Sequence, residues 1–263
     1  MNGTVLALGG GGFTMGPGDP ALDELVLELA GGAAPKILFL PTAGGDAAAQ
    51  IAAFYGAFAD RACRPRVLSL FRLHGSAESV RDLVLDQDVI YVGGGSMRNL
   101  LAIWRAHGLD AILREAWERE IVLAGLSAGA MCWFEGGITK SSGEPDVAEG
   151  LGLLPGSFSV HADGEPERLP VWLAAVRSGE LPGGWAADDG VGLLFAGTRM
   201  TRVVSSRPGT AALRADAVGD ELVQHRIEPE LLGSGAGAGG IASRPVPDDV
   251  RELRELRQAM RLR

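Results

Sequence analysis

The segment IVLAGLSAGAMCWFE, residues 121–135, joins an apolar run to a helix-like run through a single serine, Ser127. Its first six residues are almost purely apolar, as in a strand that is covered on both faces. Small residues flank Ser127, and a sharp strand-to-helix turn with small neighbours is how a fold exposes one nucleophile in a cleft. The same small residues could serve only to pack a helix closely against a sheet, so other parts of the chain must decide between the two interpretations.

The pattern of this segment repeats along the first half of the chain, where β-rich runs alternate with helical ones. The β-rich runs are TVLAL (4–8), KILFLP (36–41), RVLSL (66–70), DVIYVGGG (88–95) and IVLAGL (121–126). Such alternation predicts βαβ units. We therefore expect an α/β fold of the Rossmann-like, three-layer type, in which helices flank a mostly parallel sheet.

Beyond residue 136 the pattern is less regular. Residues 136–152 are polar and Gly-rich and predict a loop, whereas 157–161 predict a short strand and 165–179 a helix. Three β-rich runs between residues 191 and 215 are separated only by turns. They predict a small antiparallel extension toward the C-terminus.

The chain shows no clear boundary between domains. We expect a single domain over residues 1–263, with a core over 1–210 and a C-terminal extension over 211–263. Within the extension, the Gly-rich run 231–247 predicts a mobile loop and the charged run 248–263 predicts a terminal helix.

Composition excludes several classes of function. The chain has 263 residues, of which 46% are hydrophobic and 22% charged, with a formal net charge of −9 and two cysteines. An acidic chain without a basic run is a poor candidate for binding nucleic acid, and two cysteines cannot form a disulfide scaffold. The N-terminus predicts a first strand rather than a signal peptide, and no segment is long and apolar enough to span a membrane. We expect a soluble, cytoplasmic protein.

Three loops that could carry chemistry follow predicted strands: PTAGGD (41–46), VGGGS (92–96) and the turn at Ser127. Ligands of open parallel sheets bind at the carboxyl ends of the strands, so the three loops should share one crevice. The glycines match no nucleotide-binding motif. Beside a nucleophile, their N–H groups could instead donate to a developing oxyanion, and we expect Gly94 and Ala128 to be those donors. Tight packing of the turn is the alternative.

A serine nucleophile needs a base, and the chain has four histidines, His74, His107, His161 and His225. His107 has the position of a helix C-cap, while His74 and His225 lie in polar, surface-like contexts. His161 ends an apolar strand that follows the nucleophile. It is the candidate base, although a core or surface histidine would fit the same pattern.

The third member of a triad is harder to assign. Glu135 lies in the Ser127 segment, but eight residues of helix would carry it about 12 Å away along the axis. The loop that follows can fold back, and it carries Glu144 and Asp146. We favour Glu144, with Asp146 and Glu135 as alternatives.

Together these segments resemble the peptidase E and cyanophycinase family of serine peptidases over about residues 1–210. The resemblance is carried by YVGGGSMRNLL (91–101), GLSAGAMCWFEGG (125–137), GLGLLPGSFSVH (150–161) and GEPERLP (164–170). It implies a fold like that of class I glutamine amidotransferases, with serine in place of the usual cysteine nucleophile. It also implies a Ser–His–acid triad that needs no metal and no cofactor.

The resemblance matches Ser127 to the nucleophile, His161 to the base, and Gly94 with Ala128 to the oxyanion hole. The family places its acid in the loop after the nucleophile helix, where this chain has Lys-Ser-Ser-Gly at 140–143 and then Glu144. A family arginine that binds acidic substrates corresponds to Arg168.

The resulting hypothesis is a serine-type exopeptidase, a dipeptidase or aminopeptidase, that hydrolyses short peptides through an acyl-enzyme at Ser127. Peptides with an N-terminal acidic residue are the expected substrates, and a homodimer is left open. The alternative is a catalytically weakened member of the family that acts as a binding or sensing protein. A glutaminase-like amidotransferase subunit is disfavoured, because the turn carries serine rather than cysteine.

Overall fold

The computed structural model describes residues 3–14, 20–73, 79–219 and 221–233. Over these residues the chain forms two sheets flanked by helices. The strands are β1 (Thr4–Leu8), β2 (Lys36–Leu40), β3 (Arg64–Val67), β4 (Val89–Val92), β5 (Val122–Leu126), β6 (Phe134–Thr139), β7 (Asp146–Glu149), β8 (Leu154–Ser159), β9 (Gly184–Ala187), β10 (Val191–Ala196), β11 (Arg199–Ser205), β12 (Ala212–Val218), β13 (Glu221–Ile227) and β14 (Glu230–Leu231). The helices are α1 (Ala21–Ala30), α2 (Ala48–Phe58), α3 (Val80–Leu85), α4 (Met97–His107), α5 (Leu109–Glu118), α6 (Ala128–Met131) and α7 (Arg168–Ser178).

The first sheet has eight strands in the order β14-β11-β10-β1-β5-β4-β2-β3. Its five strands from β1 to β3 are parallel, and β10 and β11 continue it in antiparallel pairing. The central strands β4 and β5 are buried along their whole length, which explains their continuous apolar sequence. The predicted α/β fold with a mostly parallel sheet is confirmed.

A second sheet of six strands, in the order β13-β12-β9-β8-β6-β7, was not anticipated as a sheet. Residues 136–152, predicted as a loop, contain most of β6 and all of β7. Glycine has a low intrinsic preference for strands, so the sequence of this segment does not predict one. Strand β6 forms because it pairs with β7 and β8. Within residues 211–233, β12 and β13 complete this sheet and β14 joins the first one. Most of the predicted loop 231–247 and the whole predicted helix 248–263 lie outside the described residues.

Apolar side chains fill both faces of the first sheet. One face packs aromatic rings edge-on and stacked around Phe39, whose ring centroid lies 5.2 Å from that of Phe13 and 4.8 Å from that of Phe54. A third cluster lies between α7 and the second sheet, where the buried Trp172 donates its indole N–H to Ser157 Oγ at 2.9 Å. Among the described residues, no helix has the length and apolarity needed to cross a bilayer.

We expect Phe39→Ala to lower the free energy of unfolding by about 3–5 kcal/mol, because it removes a fully buried ring and leaves a cavity. The matched control is Phe71→Ala, whose ring is 52% exposed and whose loss should change stability by less than about 0.5 kcal/mol. Urea denaturation of both variants measures the difference. Equal losses would show that the aromatic cluster is not the core of this face.

Candidate active site

Ser127 lies on a sharp turn between β5 and α6. Its backbone has φ 54° and ψ −119°, a combination that non-glycine residues rarely adopt. The turn is tight because α6 approaches β4 closely, and a side chain on Gly129 would lie 2.4 Å from the carbonyl oxygen of Val92. This geometry explains the small residues around Ser127 and is that of an exposed nucleophile.

The Ser127 hydroxyl is hydrogen-bonded to a histidine, and that histidine to a carboxylate. Ser127 Oγ lies 2.9 Å from His161 Nε2, and His161 Nδ1 lies 2.6 Å from Asp189 Oδ1. The hydrogen bond from His161 lowers the pKa of Asp189 against the opposing effect of burial, so the carboxyl is ionised at neutral pH. An ionised acceptor at Nδ1 favours the tautomer that leaves Nε2 free to accept the serine proton.

The structure places Asp189 in the position for which the sequence favoured Glu144. Glu144 is exposed in the turn between β6 and β7, and Asp146 forms an ion pair with Arg98. Helix α6 ends at Met131, so the distance argument against Glu135 does not apply. Its carboxylate nevertheless turns away and accepts the backbone N–H of Gly156 at 2.7 Å.

The position of Asp189 follows from the second sheet. Strands β8 and β9 are parallel neighbours, and His161 and Asp189 each follow the end of their strand by two residues. The carboxyl ends of adjacent parallel strands meet at one edge, the same rule that brought the other candidate loops together. The signal was therefore present in the run AADDG, but it required knowing that residues 184–187 form a strand beside β8.

Two neighbouring aspartates hold the Asp189 loop. Asp163 accepts the backbone N–H of Asp189 at 2.8 Å, and Asp188 accepts that of Ala211 at 2.8 Å. Burial raises the pKa of Asp188, whereas Asp189 is held ionised by His161. Of these carboxylates, only Asp189 contacts the imidazole in the described residues.

The two expected oxyanion donors, Ala128 and Gly94, lie beside Ser127. Ala128 is the first residue of α6, so its N–H has no acceptor within the helix. Gly94 follows β4, and a side chain built on it would begin 3.2 Å from Ser127 Cβ. Both backbones are thus adjacent to the Ser127 side chain.

A cavity of about 270 Å³ opens at Ser127. Its walls come from the glycine turn, α6, β6 and the start of α7, and the lining residues are Gly95, Ser127, Met131, Thr139, Lys140, Glu165 and Arg168. Two larger cavities, of about 380 and 500 Å³, include neither a serine nor a histidine. The chemistry, rather than the size, identifies the candidate site.

Charged side chains in this cavity neutralise one another. Arg168 is buried, and its two terminal nitrogens donate to the carbonyl of Ile138 and to Glu165. Lys140 Nζ lies 2.6 Å from Glu167 and 3.2 Å from Glu165, and these hydrogen bonds raise the pKa of the lysine. Burial opposes ionisation of Glu165, but the bonds from the two cations outweigh it and lower its pKa. The same lysine lowers the pKa of Glu167, so Lys140 and both glutamates are charged at neutral pH.

The other histidines do not join this arrangement. His107 ends α4 and His225 lies on β13, both exposed, while His74 lies outside the described residues. No cluster of three or more His, Cys, Asp or Glu side chains suited to a metal ion occurs in the described ranges.

Comparison with known proteins places this chain in a family. The sequence model of Peptidase family S51 matches residues 5–203. A protein of Bacillus subtilis (strain 168), named uncharacterized peptidase YgaJ, is 44% identical over 229 residues, which are 87% of this chain and 99% of that protein.

Two solved structures share the fold. A peptidase from an acI-B1 Actinobacterium superposes with a TM-score of 0.65 at 21% identity, covering 85% of this chain and 94% of the other. A putative peptidase E protein from Listeria monocytogenes EGD-e gives a TM-score of 0.54 at 16% identity, covering 87% of this chain and 100% of the other. With a family match over most of its length, this chain belongs to peptidase family S51 and is a serine peptidase.

Proposed function

We propose that this serine peptidase is an exopeptidase for short peptides, with Ser127 as nucleophile, His161 as general base and Asp189 as the acid. The observation that carries the proposal is the continuous hydrogen-bond chain from Ser127 Oγ through both imidazole nitrogens to Asp189. Each member has the partner that its role in a triad requires.

The reaction follows from this geometry. His161 Nε2 takes the hydroxyl proton as Ser127 Oγ bonds to the substrate carbonyl carbon, and the negative charge moves to the carbonyl oxygen. Backbone N–H groups at Ala128 and at the glycine turn around Gly94 stabilise that oxyanion. The C–N bond then breaks, His161 returns its proton to the leaving amine, and water releases the acyl group by the same steps.

The cavity supports short substrates. Its volume of about 270 Å³ lies just below the range of about 300–1,000 Å³ that is usual for small-molecule sites. The side chains of Lys140 and Arg168 provide positive charge for an acidic N-terminal residue. Because both terminal nitrogens of Arg168 already have acceptors, an acidic side chain would bind chiefly through Lys140 by displacing Glu167, whose side chain is 47% exposed. Arg168 then stabilises the bound carboxylate by its positive charge, without a direct hydrogen bond to it.

The nucleophile is tested with a fluorophosphonate probe, which labels activated serines. We expect the parent to be labelled and to hydrolyse dipeptides, and Ser127→Ala to be folded, unlabelled and slower by on the order of 10⁶-fold in kcat. Ser178→Ala, at the end of α7, is the matched control and should behave as the parent. An unlabelled, inactive parent would instead favour a binding or sensing protein on the same scaffold.

The acid is tested by a pair of substitutions. Asp189→Asn should lower kcat by about 10⁴-fold, because an amide favours the wrong imidazole tautomer. Glu144→Gln should leave kcat unchanged, since Glu144 is exposed and does not contact His161. Steady-state kinetics on one dipeptide decides between them, and a large loss in Glu144→Gln alone would refute the assignment of Asp189.

Substrate preference is tested with Asp-X, Ala-X and Leu-X dipeptides. We expect the parent to favour Asp-X, and Lys140→Met to lower kcat/KM for Asp-X by about 10- to 100-fold, the value of one charge-assisted hydrogen bond. The rate for Leu-X should change little in the same variant.

Two further variants complete this test. Arg168→Met should also reduce the preference, whereas Lys36→Met, which removes a lysine paired with Asp86 away from the cavity, should not. Equal kcat/KM for Asp-X and Leu-X in the parent would rule out the acidic preference and leave the peptidase assignment standing.

A further inference from the structure

Gln50 contacts the glycine turn at the candidate site although it belongs to a different element. It lies in the first turn of α2, and its side-chain Nε2 donates to the carbonyl oxygen of Gly94 at 3.2 Å. Gly94 itself packs against Ser127. The amide of Gln50 therefore holds one face of the peptide that borders the nucleophile.

The hydrogen bond from Gln50 also fixes the direction of the Gly95 N–H, because that N–H belongs to the same peptide as the Gly94 carbonyl. In a trans peptide the carbonyl and the following N–H point in opposite directions. With the Gly94 carbonyl directed toward Gln50, the N–H of Gly95 is directed away from it, and Gly95 lines the cavity that contains Ser127.

The N–H groups that flank Gly94 and Gly95 in the turn are already used. Gly93 donates to Leu40 at 3.1 Å and Ser96 to Ala43 at 2.8 Å. Among the described residues, no backbone acceptor is found for the N–H of Gly94 or of Gly95, and it is the N–H of Gly95 that the Gln50 contact orients. The turn thus presents a free donor beside the nucleophile.

A role in capping α2 does not explain why a glutamine lies at position 50. A glutamine at the third helical position can reach back and cap the helix, but α2 has no side-chain cap and Gln50 Oε1 is buried without a partner. A buried amide oxygen without a partner is unfavourable. The one hydrogen bond found for this side chain in the described residues is the one to Gly94.

We infer that Gln50 is a positioning residue, which orients the Gly94–Gly95 peptide so that the Gly95 N–H joins that of Ala128 in the oxyanion hole. The inference rests on the proposed acyl transfer at Ser127. In this arrangement Gly94 accepts the hydrogen bond from Gln50 through its carbonyl, and Gly95 donates its N–H to the oxyanion. Because the donor acts on charge that develops in the transition state, losing its orientation lowers kcat and leaves substrate binding nearly unchanged.

The test compares Gln50→Met and Gln50→Glu with the parent in dipeptide hydrolysis. Both substitutions keep the length of the side chain and remove the N–H donor, and a glutamate is favourable in the first turn of a helix, so Gln50→Glu should fold. We expect kcat to fall by about 10- to 100-fold with little change in KM.

A transition-state mimic supplies a readout that a purely structural role would not move. A peptide aldehyde adds reversibly to Ser127: the Oγ–C bond forms as the hydroxyl proton passes to His161 Nε2, and the C=O π bond breaks to leave the hemiacetal oxygen, negatively charged, in the oxyanion hole. Its inhibition constant should rise by the factor by which kcat/KM falls. In addition, kcat of Gln50→Glu relative to the parent should recover as pH approaches the carboxyl pKa of about 4.3, because the protonated acid can donate to Gly94.

Gln87→Met is the matched control. Gln87 resembles Gln50 in that its Nε2 donates to a backbone carbonyl and its buried Oε1 lacks a partner, but it precedes β4 at the opposite edge of the sheet. It should keep the parent kcat. Parent-like kcat in a folded Gln50→Glu, or a rise in KM alone, would overturn the inference, while an inactive and unlabelled parent would refute the proposed function instead.

Discussion

The hydrogen bonds at the carboxyl end of β1 hold the whole candidate site together. Three consecutive backbone carbonyls there accept N–H groups from three distant segments: Leu8 from Ser127 at 3.1 Å, Gly9 from His161 at 3.2 Å, and Gly10 from Gly190 at 3.0 Å. The third segment carries Asp189. One strand end thus fixes the backbones on which the proposed triad depends, and this close packing explains why the chain places a run of glycines there. A side chain on Gly10 would begin 1.9 Å from the Asp189 carboxylate and 2.8 Å from the His161 ring.

This strand end also joins the two sheets. Ser127 follows a strand of the first sheet, whereas His161 and Asp189 follow neighbouring strands of the second. The hydrogen bond between Ser127 and His161 therefore crosses from one sheet to the other. Both residues have φ 54°, a strained conformation that the surrounding hydrogen bonds must maintain. The geometry of the proposed catalytic residues is consequently a product of how the two sheets pack.

The cavity beside the triad is charged but balanced. The positive charges of Lys140 and Arg168 are compensated by Glu165 and Glu167. Glu167 is the more exposed of the two carboxylates, so it can leave Lys140 for solvent more easily than Glu165 can. A substrate carboxylate would bind by exchange for a carboxylate of the protein, not by filling an empty cationic site. Under the proposed preference for acidic residues, selectivity would depend on the difference in stability between two ion pairs of Lys140, one with Glu167 and one with the substrate. A neutral substrate side chain that displaced Glu167 would leave Lys140 without that carboxylate and offer none in return.

The sequence by itself determined the parallel sheet, the strand-to-helix turn at Ser127 and membership of the family, because these depend on local patterns: apolar runs, small residues at a tight turn, and motif spacing. It also indicated His161, which ends an apolar run. It did not indicate Asp189, Gln50 or the second sheet. Glycine-rich strands such as β6 have little intrinsic signal, and Asp189 meets His161 only because β9 pairs with β8. Only the tertiary structure could decide these contacts, because they join residues that are far apart in the chain and meet through strand pairing.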